Sequence, residues 1–131
     1  MCITFTIPGK PFGKQRPRAT RQGRMYTPAE TVAFEAIVRQ IAVEHFANPM
    51  AGPVKVEVIA VFIPAKSWSQ KKQAAHLGRP HTQKPDLDNC MKAVLDGLNR
   101  IAFADDSQVA EFTARKAWGH VEETRVIVEA L

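Results

Sequence analysis

Residues 2–7, CITFTI, alternate apolar and polar side chains and stop at Pro8-Gly9, which predicts a strand. Residues 54–63, VKVEVIAVFI, start with the same alternation and finish wholly apolar. That predicts a long strand whose far end runs through a sheet interior. Residues 107–118 and 121–130 alternate around Gly119-His120, which predicts two strands joined as a hairpin. Elsewhere the spacing is helical. Thr27-Pro28-Ala29-Glu30 reads as an N-cap, a proline at the first helical position and an N3 glutamate. The helix it opens places Phe34, Ile37, Val38, Ile41 and His45 on one face and runs to about Ala47. In that stripe His45 reads as a core histidine. Ser67 or Ser69 caps a short helix to about Leu77, with Gly78 as its stop. A third helix begins near Asp86, because Pro85 disfavours helix at Lys84. It carries Leu87, Met91, Val94, Leu95, Leu98 and Ile101 at helical spacing. The order β, α, β, α, α, β, β predicts an α+β fold. It is a single two-layer domain over 1–131, with about three helices packed on a mixed or mostly antiparallel sheet.

The 131 residues suit one domain, and 45% hydrophobic with 24% charged is ordinary for a globular chain. No apolar run reaches the roughly 18 residues of a membrane span, and no basic segment leads an apolar one at the N-terminus. Cys2 and Cys90 are too far apart for a zinc knuckle or a disulfide framework, and Cys90 falls in a helical pattern as a small hydrophobe. These features predict a protein of a reducing cytoplasm, not associated with membrane.

Charge changes the picture. The net charge is +5, but it is uneven. Residues 1–29 hold Lys10, Lys14, Arg16, Arg18, Arg21 and Arg24 and no acid. Residues 58–85 hold Lys66, Lys71, Lys72, Arg79 and Lys84 and no acid. The remainder carries seven cations against thirteen acids. Two basic arms around an acidic centre predict a polyanion partner; the plainer account is a solvated basic surface. Residues 8–24, with three prolines and three glycines, read as a loop or hairpin presented rather than packed.

Five of the acids, Asp86, Asp88, Asp96, Asp105 and Asp106, lie within 21 residues. Helix capping and the macrodipole account for Asp86 and Asp88, but not for Asp105-Asp106 beyond the helix. Asp88, Lys92 and Asp96 recur at i, i+4, i+8 and share a stripe. A helix from 87 to 101 rises about 22 Å, so Asp105-Asp106 meet Asp86 and Asp88 only if the following strand returns beside the helix N-terminus. Two carboxylates about 5 Å apart repel by roughly 3 kcal/mol at an effective dielectric near 20, so such a cluster needs a cation. All-oxygen donors favour Mg²⁺ or Mn²⁺, ions that clamp phosphodiester oxygens and activate water. Lys92 suits a role in holding a carboxylate ionised or steadying phosphate charge; its plain alternative is a salt bridge one helical turn long.

At these positions the chain resembles the RusA family of Holliday-junction resolvases. The matching residues are D-L-D-N at 86–89, Lys92, D-G-L at 96–98 and D-D-S-Q-V at 105–109. Looser likeness covers I-P-G-K-P at 7–11, Tyr26 and I-P-A-K-S-W-S at 63–69. The resemblance implies a small homodimer with one Mg²⁺-dependent site per subunit, which nicks two opposed strands of a four-way junction symmetrically. It implies Asp86, Asp88 and Asp106 as metal-binding catalytic acids, Lys92 as the essential lysine, and Asp105 as their neighbour. Asn89 and Asp96 follow in a second tier, Asn89 orienting the site and Asp96 open to a structural role. Where some relatives carry Arg before the first aspartate, this chain has Pro85, with Lys84 one earlier. The resemblance also implies DNA recombination or repair, a phage or prophage setting, and no organic cofactor.

The eleven cations of the two arms suit DNA backbone phosphates, which position a duplex without reading its bases. Phe12, Trp68 and Phe103 are candidates to wedge into a branch, weighed against ordinary packing. Three rivals stand beside the nuclease: a non-catalytic branched-DNA binder, a metal-dependent nucleotide phosphohydrolase, and a transcription factor, for which no helix-turn-helix pattern is present. No G-x-S-x-G elbow and no paired Cys suggest a nucleophilic enzyme. His76, His81 and His120 read as loop residues.

Overall fold

The computed structural model describes residues 1–131. In chain order the elements are β1 (Cys2–Pro8), β2 (Arg18–Ala19), β3 (Met25–Tyr26), α1 (Ala29–Val43), β4 (Val54–Phe62), α2 (Gln70–His76), α3 (Leu87–Leu98), a single 3₁₀ turn (Asp106–Gln108), β5 (Val109–Trp118) and β6 (Glu123–Ala130). Four strands form one mixed sheet in the order β1-β6-β4-β5, and β2-β3 is a separate small ribbon. The α+β single domain is as expected. No helix is long and apolar enough to cross a membrane.

The hairpin expected around Gly119-His120 is not formed. β4 lies between the two strands, pairing parallel to β5 and antiparallel to β6. The turn steps over the end of β4, where the Gly119 amide donates to the Phe62 carbonyl at 2.8 Å. The cause lies in β4 itself. From Val58 to Phe62 it is fully buried, so its backbone needs a partner on each edge.

α1 and α3 cover one face of the sheet. Phe5, Ile7, Val54, Val56, Val58, Val126 and Val128 meet Val38 and Ala42 from α1 and Val94 and Leu98 from α3. Both helices are rotated from the expected faces. α1 starts one residue later than expected: Pro28 is its N-cap, with ψ 145°, and Thr27 makes no cap. Thr31, Val38 and Ala42 are buried, whereas Ile37 and His45 are exposed. His45 is therefore not a core residue; its ring lies on Phe5, centroids 5.4 Å apart. α3 ends at Leu98, short of Ile101, and Arg100 turns the chain at φ 72°. It buries Cys90, Ala93, Val94, Gly97 and Leu98, while Leu87, Met91, Leu95 and Ile101 are only half-buried.

The rotation follows from a close helix–helix approach at Gly97. A Cβ there would lie 2.6 Å from the Val38 Cβ and 3.2 Å from the Glu35 carbonyl. Gly97→Ala is expected to lower stability by about 2 kcal/mol through overpacking, measured as a shift of the urea midpoint at unchanged slope. α2 forms as read, with the Ser69 hydroxyl accepting from the Lys72 amide at 3.1 Å and Gly78 at φ 77° behind it. Cys90 is buried, and that burial pushes its thiol up to about 11, leaving it unreactive at neutral pH.

A smaller cluster closes the far end of β4. Phe62 stacks on His81 at 3.8 Å between ring centroids, and His81 in turn lies 4.4 Å from Trp118. His81 is thus a packed residue, 5% exposed, rather than a free loop histidine. Burial first, then the nearby Lys116, pushes its imidazole down to about 4. The folded state prefers the neutral ring, so this contribution is intact above the unfolded value near 6.5 and is lost as pH falls towards 4. The loss is expected to reach about 3 kcal/mol at the acid end. Urea unfolding of the wild-type chain and His81→Phe at pH 7 and pH 4.5 checks this, since the variant lacks that part of the acid slope.

Candidate functional site

α3 and the segment before it position the first acids. Asp86 occupies the N-cap position, but its carboxylate makes no cap bond. It accepts from Lys84 Nζ at 2.8 Å, and that contact holds it below the usual carboxylate range. Asp88, in the first turn, is exposed. Lys92 is exposed one turn on and forms no ion pair with Asp88 or Asp96. Asn89 is half-buried, and its backbone carbonyl, not its side chain, accepts the Lys14 backbone amide at 2.9 Å.

Lys116 holds this corner. Its Nζ donates to the Gln83 and Pro85 carbonyls, each at 2.7 Å, and so ties the approach to Asp86 down onto β5. Sequence reading missed it. The available signal was a lysine in phase with the core-side positions Phe112 and Ala114 of a strand.

Asp96 is turned elsewhere. It pairs with Lys14, whose ammonium also lies 3.8 Å from Glu35. The bond to Asp96 raises the Lys14 pKa, and burial raises that of Glu35. Lys14 is thus drawn from the basic arm into an internal ion pair, and residues 11–15 pack against α1 and α3 where a presented loop was expected. A Cβ at Gly13 would lie 2.5 Å from Pro85, so only glycine lets the arm come this close.

Asp105 and Asp106 sit at the opposite end of α3. Asp105 caps the 3₁₀ turn, accepting from the Ser107 amide at 3.1 Å, and the Ser107 hydroxyl first, then that amide, hold its carboxyl below the usual range. The Gln108 side chain fixes that turn to the Met50 and Gly52 carbonyls at 2.8 and 2.9 Å. That is the start of β4 and β5, where Val54 pairs with Val109. Lys116, beside Pro85, is seven residues along β5, about 23 Å at strand rise. α3 itself, at 12 residues, spans about 18 Å. The return that would join the two acid pairs does not occur within one chain. No three side chains of the Asp, Glu, His or Cys type come together to hold a metal ion. Asp86 and Asp88 have the oxygen chemistry a hard cation prefers, but one chain does not complete a site for it.

The basic surface is largely free. Lys10, Arg16, Arg18, Arg21, Arg24, Lys66, Lys71, Lys72 and Arg79 are exposed and form no ion pair, while Lys84 is paired with Asp86. Arg18, Arg21 and Arg24 ride the β2-β3 ribbon, whose turn closes through Thr20 and Arg24. Lys72 lies 4.2 Å over the Trp68 ring. Of the wedge candidates, Phe103 is fully buried and unavailable. Phe12 stacks on Phe34 at 5.2 Å, and Trp68 packs against Trp118 at 5.4 Å.

The family model described as Endodeoxyribonuclease RusA matches residues 8–129. A Bacillus subtilis (strain 168) protein called "Uncharacterized protein YqaN" is 38% identical over 136 residues, covering 97% of this chain and 94% of that protein.

Proposed function

The chain belongs to the RusA endodeoxyribonuclease family, and on that premise we propose that it is a structure-selective nuclease that resolves four-way DNA junctions by paired symmetric nicks. The observation that carries this reading is the corner at α3. Two exposed carboxylates, Asp86 and Asp88, stand between Lys84 and Lys92 along the chain, and nine further cations of the arms are exposed and unpaired. Carboxylates this exposed and uncapped contribute little to the fold, whereas beside a phosphodiester they offer oxygen ligands and the lysines offer charge. Lys92 steadies phosphate charge one turn from Asp88. Lys116 keeps the Asp86 backbone in place, and the arms grip duplex backbone.

Mg²⁺, with Mn²⁺ as substitute, is the cation this donor set favours; such an ion polarises a phosphodiester and lowers the pKa of bound water. The working form is a homodimer, which suits the near two-fold symmetry of a junction. The separation of Asp86-Asp88 from Asp105-Asp106 supports it further, since a second copy can bring Asp106 to the α3 N-terminus of the first. The setting is cytoplasmic DNA recombination or repair.

The experiment is cleavage of a labelled four-way junction beside a matched linear duplex, with Mg²⁺ and with EDTA. Symmetric paired nicks in the junction alone, abolished by EDTA, are expected. Tight junction binding with no cleavage under any divalent ion would make the chain a branched-DNA binder, its aspartates serving as surface charge.

A further inference from the structure

The β2-β3 ribbon has a pinned base and free faces. At the base the Gln15 amide donates to the Thr31 hydroxyl at 3.2 Å, and Thr31 is fully buried in α1. At the tip the Thr20 amide donates to the Arg24 carbonyl at 2.8 Å, and the Arg24 amide to the Thr20 hydroxyl at 3.1 Å. Arg18 pairs with Tyr26, and Ala19 with Met25. Opposed residues of an antiparallel pair share a face, and so do residues two apart on one strand. Arg18, Arg24 and Tyr26 therefore lie on one face of the ribbon, with Ala19 and Met25 on the other. Among seven phenylalanines, two tryptophans and one tyrosine, only Tyr26 is exposed, at 46%. No other ring or cation lies against it. Neither arginine has an ion-pair partner. A free ring beside free cations is the chemistry that binds single-stranded nucleic acid, because the cations take phosphates and the ring takes a base.

We propose that this face of the ribbon holds one unpaired base of the DNA strand at the branch, the base on the Tyr26 ring and the flanking phosphates at Arg18 and Arg24. The inference rests on the junction-nuclease reading and deepens it. A base inside a duplex has a neighbour on each face and offers the ring nothing to stack on, whereas a branch point frees one at little cost. The ribbon also springs from the right place. The Lys14 amide is bonded to the Asn89 carbonyl, next to Asp88, and the four residues from Lys14 to Arg18 span at most about 14 Å. A strand stacked on Tyr26 is thus within a few nucleotides of Asp86 and Asp88. A second copy of this chain suits the face poorly, because a chain of net +5 would meet two unpaired arginines there. The ribbon therefore separates junction from duplex, a distinction that phosphate contacts alone do not make.

The test is independent of cleavage. The chain has one tyrosine, so labelling tyrosine rings gives the NMR signals of Tyr26 alone. The full-length chain, with no metal present, is titrated with a short oligothymidylate, with an abasic strand of the same length and charge, and with a matched duplex. Saturable upfield shifts of the Tyr26 ring are expected with the oligothymidylate and not with the other two. Tyr26→Ala is expected to weaken the oligothymidylate about tenfold or more, while Tyr26→Phe keeps wild-type affinity. Neither is expected to change duplex affinity. Arg18→Ala is expected to lower the salt slope by about one, which Tyr26→Ala leaves unchanged. Equal ring shifts with the abasic strand would overturn the stacking, and so would unchanged oligothymidylate affinity in folded Tyr26→Ala. Ring shifts that follow protein concentration with no DNA present would overturn it in favour of a contact between copies. If the ring stacks as expected but no junction is cleaved, the ribbon site stands and the nuclease reading falls. If junctions are cleaved and Tyr26→Ala keeps full preference for them over duplex, the reverse holds.

Discussion

Junction binding is expected to weaken about 10³–10⁵-fold as salt rises from 50 to 200 mM. The magnitude follows from counting cations that are free to meet phosphate. Of the eleven on the two arms, Lys14 is committed to Asp96 and Glu35, and Lys84 to Asp86. The nine that remain fall within the six to ten contacts for which counterion release gives about this loss. A logarithmic plot of affinity against salt supplies the slope directly. Arg21→Ala, on the exposed ribbon, is expected to reduce that slope by about one. Lys14→Met is expected to leave the slope unchanged while destabilising the fold, because it strands two acids that now share one ammonium. A slope near zero in the wild-type chain would mean that the arms do not touch the nucleic acid.

Much of the architecture was legible because strands and helices write their periods into the chain. β1, β4 and α2 lie where alternation, apolar run and Ser cap placed them. Alternation identifies strands but not their neighbours, so residues 107–130 read as a hairpin although β4 separates them. The clue was present in the solid apolar end of β4, which calls for pairing on both edges. Helix faces were harder. Ile37 and Met91 belong to regular apolar stripes, yet the close approach at Gly97 turned α1 and α3 towards each other and buried Thr31 and Ala93 instead. A glycine that admits a neighbouring helix carries no apolar signal of its own.

The candidate site was legible in its parts and not in its assembly. Asp86, Asp88 and Lys92 are exposed at the N-terminal end of α3, with Lys92 one turn after Asp88 as their spacing placed it. Asp96, on the same stripe, was claimed by a lysine 82 residues away in sequence, a pairing that no local pattern records. Asp105 and Asp106 are close to Asp88 along the chain, but the helix between them carries them away at about 1.5 Å per residue. Lys116 was hidden for the opposite reason, being remote in sequence and adjacent in space.

That separation gives the sharpest expected result. Asp88→Asn and Asp106→Asn, each alone, are expected to lose about 10³-fold or more in junction cleavage while junction binding persists, since losing one ligand of a cation that supplies several kcal/mol removes most of its contribution. Each aspartate is exposed, so neither change should harm the fold. Mixed together, the two variants should recover. In a dimer whose site draws Asp88 from one copy and Asp106 from the other, a mixed pair places both lesions in one site and leaves the second intact. Random exchange makes about half of all dimers mixed, so cleavage should return to about a quarter of wild type. It should also change character, with single nicks replacing paired ones, because only one site per dimer works. If each site were built within one chain, every site in the mixture would carry a lesion and no recovery would follow. A mixture that stays inactive after verified subunit exchange therefore means that Asp106 reaches Asp88 in cis, through a rearrangement of the 99–108 segment on DNA, and that α3 does not keep the two acid pairs apart in the working enzyme.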